Sequence, residues 1–211
     1  MNIYLSSAYL APIQYYSKFV SGSEIIIEKN DSYLKQTYRN RCIIASANGS
    51  ISLSIPVIHS SSEKTLMKDI RIAEHGNWQH MHWNAIISAY NSTPFFEYYQ
   101  DDFYPFYHKR YDFLFDFNEE LQNLILNLLN IDLPKIRCAS EYKTEITDGS
   151  DLRDVIHPKK DWKVLDPDFI SLPYYQVFIQ KYGFLENLSV IDLLFNMGNE
   201  SQLILNNSIR R

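Results

Sequence analysis

The chain has 211 residues, of which 45% are hydrophobic and 21% charged. That is enough apolar material for a sizeable core, and it excludes wholesale disorder. Against 25 Asp+Glu stand only 20 Lys+Arg, for a formal net charge of −5; nucleic acid gripped by bulk charge is therefore not expected, because neutralising phosphates needs surplus cations. Two cysteines exclude a disulfide scaffold, and 16 Tyr and 12 Phe against 6 Gly mark a chain rich in rings.

The opening MNIYLSSAYL has no Lys or Arg ahead of its apolar residues. Neither a signal peptide nor a membrane span of about 18 apolar residues is expected, so the chain reads as cytoplasmic with reduced thiols. Ile3-Tyr4-Leu5 predicts a strand, Gln14 to Phe19 a helix after Pro12, and Ile25-Ile26-Ile27 a strand buried on both faces. Strand, helix and strand within about 30 residues predict a βαβ unit with a parallel pair. Cys42–Ala47, Asn48-Gly49 and Ser50–Val57 predict a hairpin on a type I′ turn, with Ile51, Leu53 and Ile55 alternating with serines. A polar surface loop over His59–Lys64 and a short strand at Ile70–Ile72 follow.

Trp78 to Asn91 has helical periodicity, with His82, Ala85, Ile86, Ala89 and Tyr90 on one face and Trp83 and Ile87 on another. Pro94 ends it, and a further helix is expected to start near Pro105. Asp116 and Glu119 fit a capping box for a helix with Leu121, Leu124, Ile125, Leu128 and Leu129 on one stripe. Ile136–Ser140 reads as a strand. Thr144–Ser171 reads as irregular, with one helical turn at Asp151–Ile156. Ser189 and Asp192 fit a second capping box, Gly198 a C-cap, and Glu200–Leu205 a last helix. The fold class expected is α/β: a mixed, partly parallel sheet of about five or six strands, flanked by helices, with an inserted β-hairpin.

The chemistry-bearing residues are few. His75, His80 and His82 lie close together, but at a helix start the rings of His80 and His82 point about 200° apart, so no metal is expected. Cys42 and Cys138 sit in strand-like runs and read as small buried hydrophobes. Motifs of the G-x-S-x-G, P-loop and G-x-G-x-x-G types are absent. Lys35, Arg39, Asn40 and Arg41 form a donor cluster before the hairpin, suited to an anionic group; exposed strand charges in surface salt bridges are the plainer alternative. Tyr9, Tyr15, Tyr16 and Tyr38 read either as an aromatic wall for a sugar or base, or as core. Asp151-Leu152-Arg153 reads as a helix-start salt bridge.

Four segments resemble the WbqC-like family in order along the chain: Tyr9–Tyr16, Lys35 with Tyr38-Arg39-Asn40-Arg41, Ser88–Phe96, and Tyr174–Phe178 with Leu193–Asn196. Ser6-Ser7-Ala8 stands where many relatives carry a Gln-Pro pair, and Gln14 where they often carry Gly, which indicates a divergent branch. The resemblance implies a single domain over residues 1–211 and a role in surface-polysaccharide (O-antigen-type) biosynthesis, with transfer of glycine or another acyl group to a sugar. The substrate implied is a sugar or nucleotide-sugar with an acyl donor; no cofactor is specified. The alternative is a non-catalytic protein that binds a nucleotide-sugar or a protein partner. The expected site lies at the C-terminal edge of the first strands. Tyr9, Pro12 and Tyr15 would shape it, Lys35, Arg39, Asn40 and Arg41 would hold an anionic group, Tyr90 would join from the buried helix, and His82 is the one nearby base for catalysis. The ring surplus suggests a homodimer contact.

Overall fold

Sheet formation follows the β-branched runs. In the computed structural model, which describes residues 2–58 and 64–210, β1 (Asn2–Ser6) leads through α1 (Ile13–Ser17) to β2 (Glu24–Glu28). The strands pair in parallel, with Ile3 opposite Ile25 and Leu5 opposite Ile27. Ile25 and Ile26 are completely buried, as a strand covered on both faces requires. All five residues of α1 are buried, so its first N–H groups need protein partners. They find them near the C-terminus: Ile13 donates to the Leu188 carbonyl at 3.0 Å and Gln14 to the Asn187 side chain at 2.9 Å.

β3 (Arg41–Ser46) and β4 (Gly49–Ser54) form the inserted hairpin. Leu53 is buried, while Ser50, Ser52 and Ser54 are exposed, as the alternation requires. The turn differs from the type I′ expectation. Ser46 pairs with Gly49, so Ala47 and Asn48 make the loop, and of these residues only Gly49 takes a positive φ, 97°. β5 (Val57–Ile58) and β6 (Arg71–Ile72) make a second antiparallel ribbon. Of the expected polar loop, 59–63 lie outside the described residues, and Lys64 is exposed.

α2 (Trp78–Tyr90) buries His82, Trp83, Ile86, Ala89 and Tyr90. α3 (Phe96–Phe103) starts well before Pro105, which falls in the 3₁₀ turn after it; a proline cannot sit inside the helix without losing a hydrogen bond. α4 (Leu114–Leu128) also starts before the expected box. Asp116 lies within its first turn, and the Leu114 N–H is satisfied by the Ile70 carbonyl at 2.9 Å. A tertiary partner replaces the side-chain cap.

β7 (Ile136–Cys138) joins β2 and β8 (Gly149–Asp151) joins β1, both in parallel. The sheet therefore has four parallel strands in the order β7-β2-β1-β8, fewer than the five or six expected. The antiparallel pairs lie in the two ribbons, and the class is α/β as the sequence implied. α5 (Trp162–Leu165) and α6 (Ile179–Tyr182) are single turns. α7 (Val190–Met197) ends at Gly198, at φ 55°, and α8 (Ser201–Asn207) follows. The Ser189 side chain makes no cap bond. Phe195 of α7 meets Tyr90, Phe96 and Phe103 edge-on, with ring centroids 5.1–5.3 Å apart, joining α2, α3 and α7 in one core. Among the described residues, no helix is long and apolar enough to cross a membrane.

Candidate binding site at the carboxyl edge of the sheet

Parallel pairing brings the carboxyl ends of β1, β2 and β8 to one edge, the usual location of ligand crevices in open α/β sheets. Two guanidiniums are buried there, Arg39 at 3% and Arg153 at 7% exposure. Arg153 grips Asp151 with both ends of its fork, Nε to Oδ1 at 2.8 Å and Nη2 to Oδ2 at 2.6 Å. Its Nη1 donates to Glu28 Oε2 at 3.3 Å, and the Tyr142 ring lies 5.0 Å from the guanidinium carbon. Arg39 pairs with Asp31 through Nη2, and Asp154 lies 3.9 Å from the same nitrogen.

The second pair is incomplete. Arg39 Nε and Asp31 Oδ1 are buried without a hydrogen-bond partner among the described residues. A buried orphan of this kind costs about 1–3 kcal/mol, so a fold that keeps two of them side by side has polar capacity in reserve. Both residues line a cleft of about 520 Å³, with Asp151, Arg153, Asp154, Lys64 and Tyr142 also on its walls. The two carboxylates nearest the arginines are driven apart in pKa. Burial raises Asp31 against the pull of Arg39, while the hydrogen bonds from Arg153 lower Asp151. Environments that separate two carboxyls in this way make Asp31 the better proton acceptor of the two.

A narrower cavity, of about 10 Å³, lies on the other side of the arginines and is lined by Ser6, Ser7, Tyr15, Tyr38, Arg39 and Arg153. Of the candidate binding residues singled out in the sequence, Arg39, Tyr15 and Tyr38 therefore meet at this edge. Tyr15 lines it, its single hydroxyl proton shared between Gln122 Oε1 at 2.9 Å and the Ser6 carbonyl at 3.1 Å.

The others lie elsewhere. Lys35 is exposed. Asn40 donates to the Ile55 carbonyl at 2.8 Å, and Arg41 crosses its hairpin to Ser54 Oγ at 3.0 Å. Pro12 sits at the start of α1. Tyr9 is fully buried, its hydroxyl 2.9 Å from His82 Nδ1 and 3.0 Å from the Tyr107 hydroxyl. His82 itself is 4% exposed, packed against Tyr9 and Trp78, and also bonded to the Ser54 backbone. Burial pushes its pKa down to about 4, so the ring is neutral near pH 7. Tyr90 is completely buried, and Asp192 receives Tyr90, Tyr174 and Gln176 in the interior.

Sequence reasoning missed Asp31 and read Arg153 as a local salt bridge. The signal available for Arg153 was Asp151-Leu152-Arg153 itself. What it lacked was β8, which places that tripeptide at the strand end. Among the described residues, no group of three or more His, Cys, Asp or Glu side chains is placed to hold a metal ion.

The fold and this edge define an α/β protein with a polar, arginine–carboxylate cleft. Residues 7–204 match the model of the WbqC-like protein family, and the chain belongs to that family, which is associated in general terms with polysaccharide-related functions. It is also similar to the uncharacterized protein Rv1507c of Mycobacterium tuberculosis strain H37Rv, with 26% identity over 93% of this chain and 94% of that protein. No solved structure matches.

Proposed function

We propose that the protein acts in surface-polysaccharide biosynthesis of the O-antigen type, binding an amino-sugar unit in the carboxyl-edge cleft and acylating its amine. The observation that carries this reading is the unfilled pair, Arg39 Nε and Asp31 Oδ1, buried on the wall of that cleft. The lining supports the ligand class. Asp31, Asp151 and Asp154 balance Arg39, Lys64 and Arg153, so the cleft suits a polyhydroxylated or ammonium-bearing group better than a bare polyanion. Tyr142 offers a ring beside it. In the transfer, the sugar amine attacks the carbonyl carbon of an activated acyl donor. A C–N bond forms, the bond to the donor's leaving group breaks, and the Asp31 carboxylate takes the amine proton, a task its raised pKa favours. No thiol relay is needed: Cys42 is fully buried and burial pushes its pKa far up. His82 belongs to the core in this reading.

Thermal-shift measurements with free and nucleotide-linked amino sugars test it. A shift with an amino sugar, lost in Arg39→Met and Arg153→Met and kept in Arg41→Ala, is the expected result. A shift that survives both buried-arginine changes would overturn the placement. Binding without acyl transfer, across a panel of activated acyl donors, would leave the alternative of a non-catalytic sugar-binding protein.

A further inference from the structure

A second cavity, of about 170 Å³, lies between α4 and the β7 side of the sheet, lined by Ser7, Ile27, Phe115, Asn118, Gln122 and Cys138 among others. Its size exceeds the roughly 150 Å³ that admits a benzene-sized molecule. Two amides face one another's needs along one side of α4. Asn118, 2% exposed, spends its Nδ2 on Ser7 Oγ at 3.1 Å and on the Arg39 carbonyl at 2.8 Å. Its Oδ1 is buried without a partner among the described residues. Gln122, 6% exposed, uses its Oε1 to accept from Tyr15, which leaves the Nε2 donor for the cavity.

The two side chains stand four residues apart and so share one helix face. They offer one acceptor and one donor, with the apolar walls of Ile27 and Phe115 beside them. We infer that this cavity binds a neutral amide group, whose N–H donates to Asn118 Oδ1 and whose carbonyl accepts from Gln122 Nε2. A charged ligand is disfavoured: Arg137, the cation on the lining, is exposed and already paired with Glu24, and the lining carboxylate Glu119 stands 3.5 Å from the Cys138 sulfur. This inference is independent of the amino-sugar reading. A primary carboxamide and an N-acetyl group share the recognised chemistry.

Cys138 supplies the assay, because it is half-buried in the cavity lining while Cys42 is fully buried and serves as an internal control. Iodoacetamide carries a primary amide. Its alkylation forms a C–S bond, expels iodide and passes the thiol proton to solvent. Mass spectrometry should show Cys138 modified with saturating dependence on iodoacetamide concentration. Acetamide should protect it about tenfold when held at ten times its Kd, N-methylacetamide reports on the N-acetyl arm, and acetate should protect neither way. Protection by acetamide alone assigns a carboxamide, and protection by both admits an acetylated amine. Asn118→Leu should abolish saturation and protection. If that variant does not fold, the wild-type concentration dependence decides: a rate strictly linear in iodoacetamide, with no protection by either amide, would overturn the inference.

Discussion

Replacing His82 with Phe removes an imidazole that burial holds down at about 4, against an ordinary 6.5. With the folded-state pKa below the unfolded one, the unfolded chain takes the proton first as pH falls. Stability tied to the neutral ring is complete above pH 6.5 and drains away between 6.5 and about 4. The full gap is worth about 3 kcal/mol, of which about 2 kcal/mol is lost between pH 7 and pH 4.5. Asp192 has the opposite sign. Burial raises its carboxyl from 3.8 to about 6, so the folded state takes the proton first and stability is gained as pH falls from about 6 to 3.8. That gain is also about 2 kcal/mol over the same interval. In the native protein the two nearly cancel. Urea unfolding followed by Trp fluorescence at pH 7 and pH 4.5 separates them, because every other titrating group is common to both proteins. His82→Phe should gain about 2 kcal/mol relative to wild type on acidification, and Asp192→Asn should lose about as much. A His82→Phe profile parallel to wild type would refute the buried neutral ring, and would reopen His82 as a base near neutral pH.

Five further variants test particular positions. Lys18→Met should cost about 3 kcal/mol in chemical denaturation, since it removes the counter-charge that meets Asp166 at 2.7 Å in the interior and leaves that carboxylate its bond from the Gln14 amide. Arg39→Met should cost about the same by leaving Asp31 buried and unpaired, whereas Lys35→Ala, at an exposed position, should stay within about 0.5 kcal/mol of wild type. Gly198→Ala should lower the melting temperature by the equivalent of about 1–3 kcal/mol: its φ is 55° and a Cβ there would stand 2.7 Å from the Phe95 ring. Gly22→Ala, also at positive φ but with open space around it, should cost less in the same melt, separating backbone strain from the clash.

Local signals were legible wherever one periodicity ruled a segment. β1, β2 and α2 follow their apolar patterns, and the serine alternation of β4 shows which face is buried. The boundaries that moved are those decided by distant partners. α4 begins early because Ile70 supplies a carbonyl to Leu114, and α1 holds its buried start because Leu188 and Asn187 reach it. Asp192 looked like a capping residue and instead receives Tyr174 and Gln176.

The α/β class, the parallel β1–β2 pair, the inserted hairpin and the family were all legible in the chain, because each is written in spacing within about thirty residues or in motifs read in order. Which charges matter depended on the folded arrangement. Gly149-Ser150-Asp151 has no apolar alternation, and it becomes a strand only because β1 offers an open edge of backbone groups to pair with. That pairing carries Arg153 to the sheet's carboxyl edge beside Arg39, while Arg41, two residues further on, is turned into the hairpin. Neighbours in sequence thus part, and residues 114 positions apart meet, because backbone hydrogen bonding and burial act on distances in space.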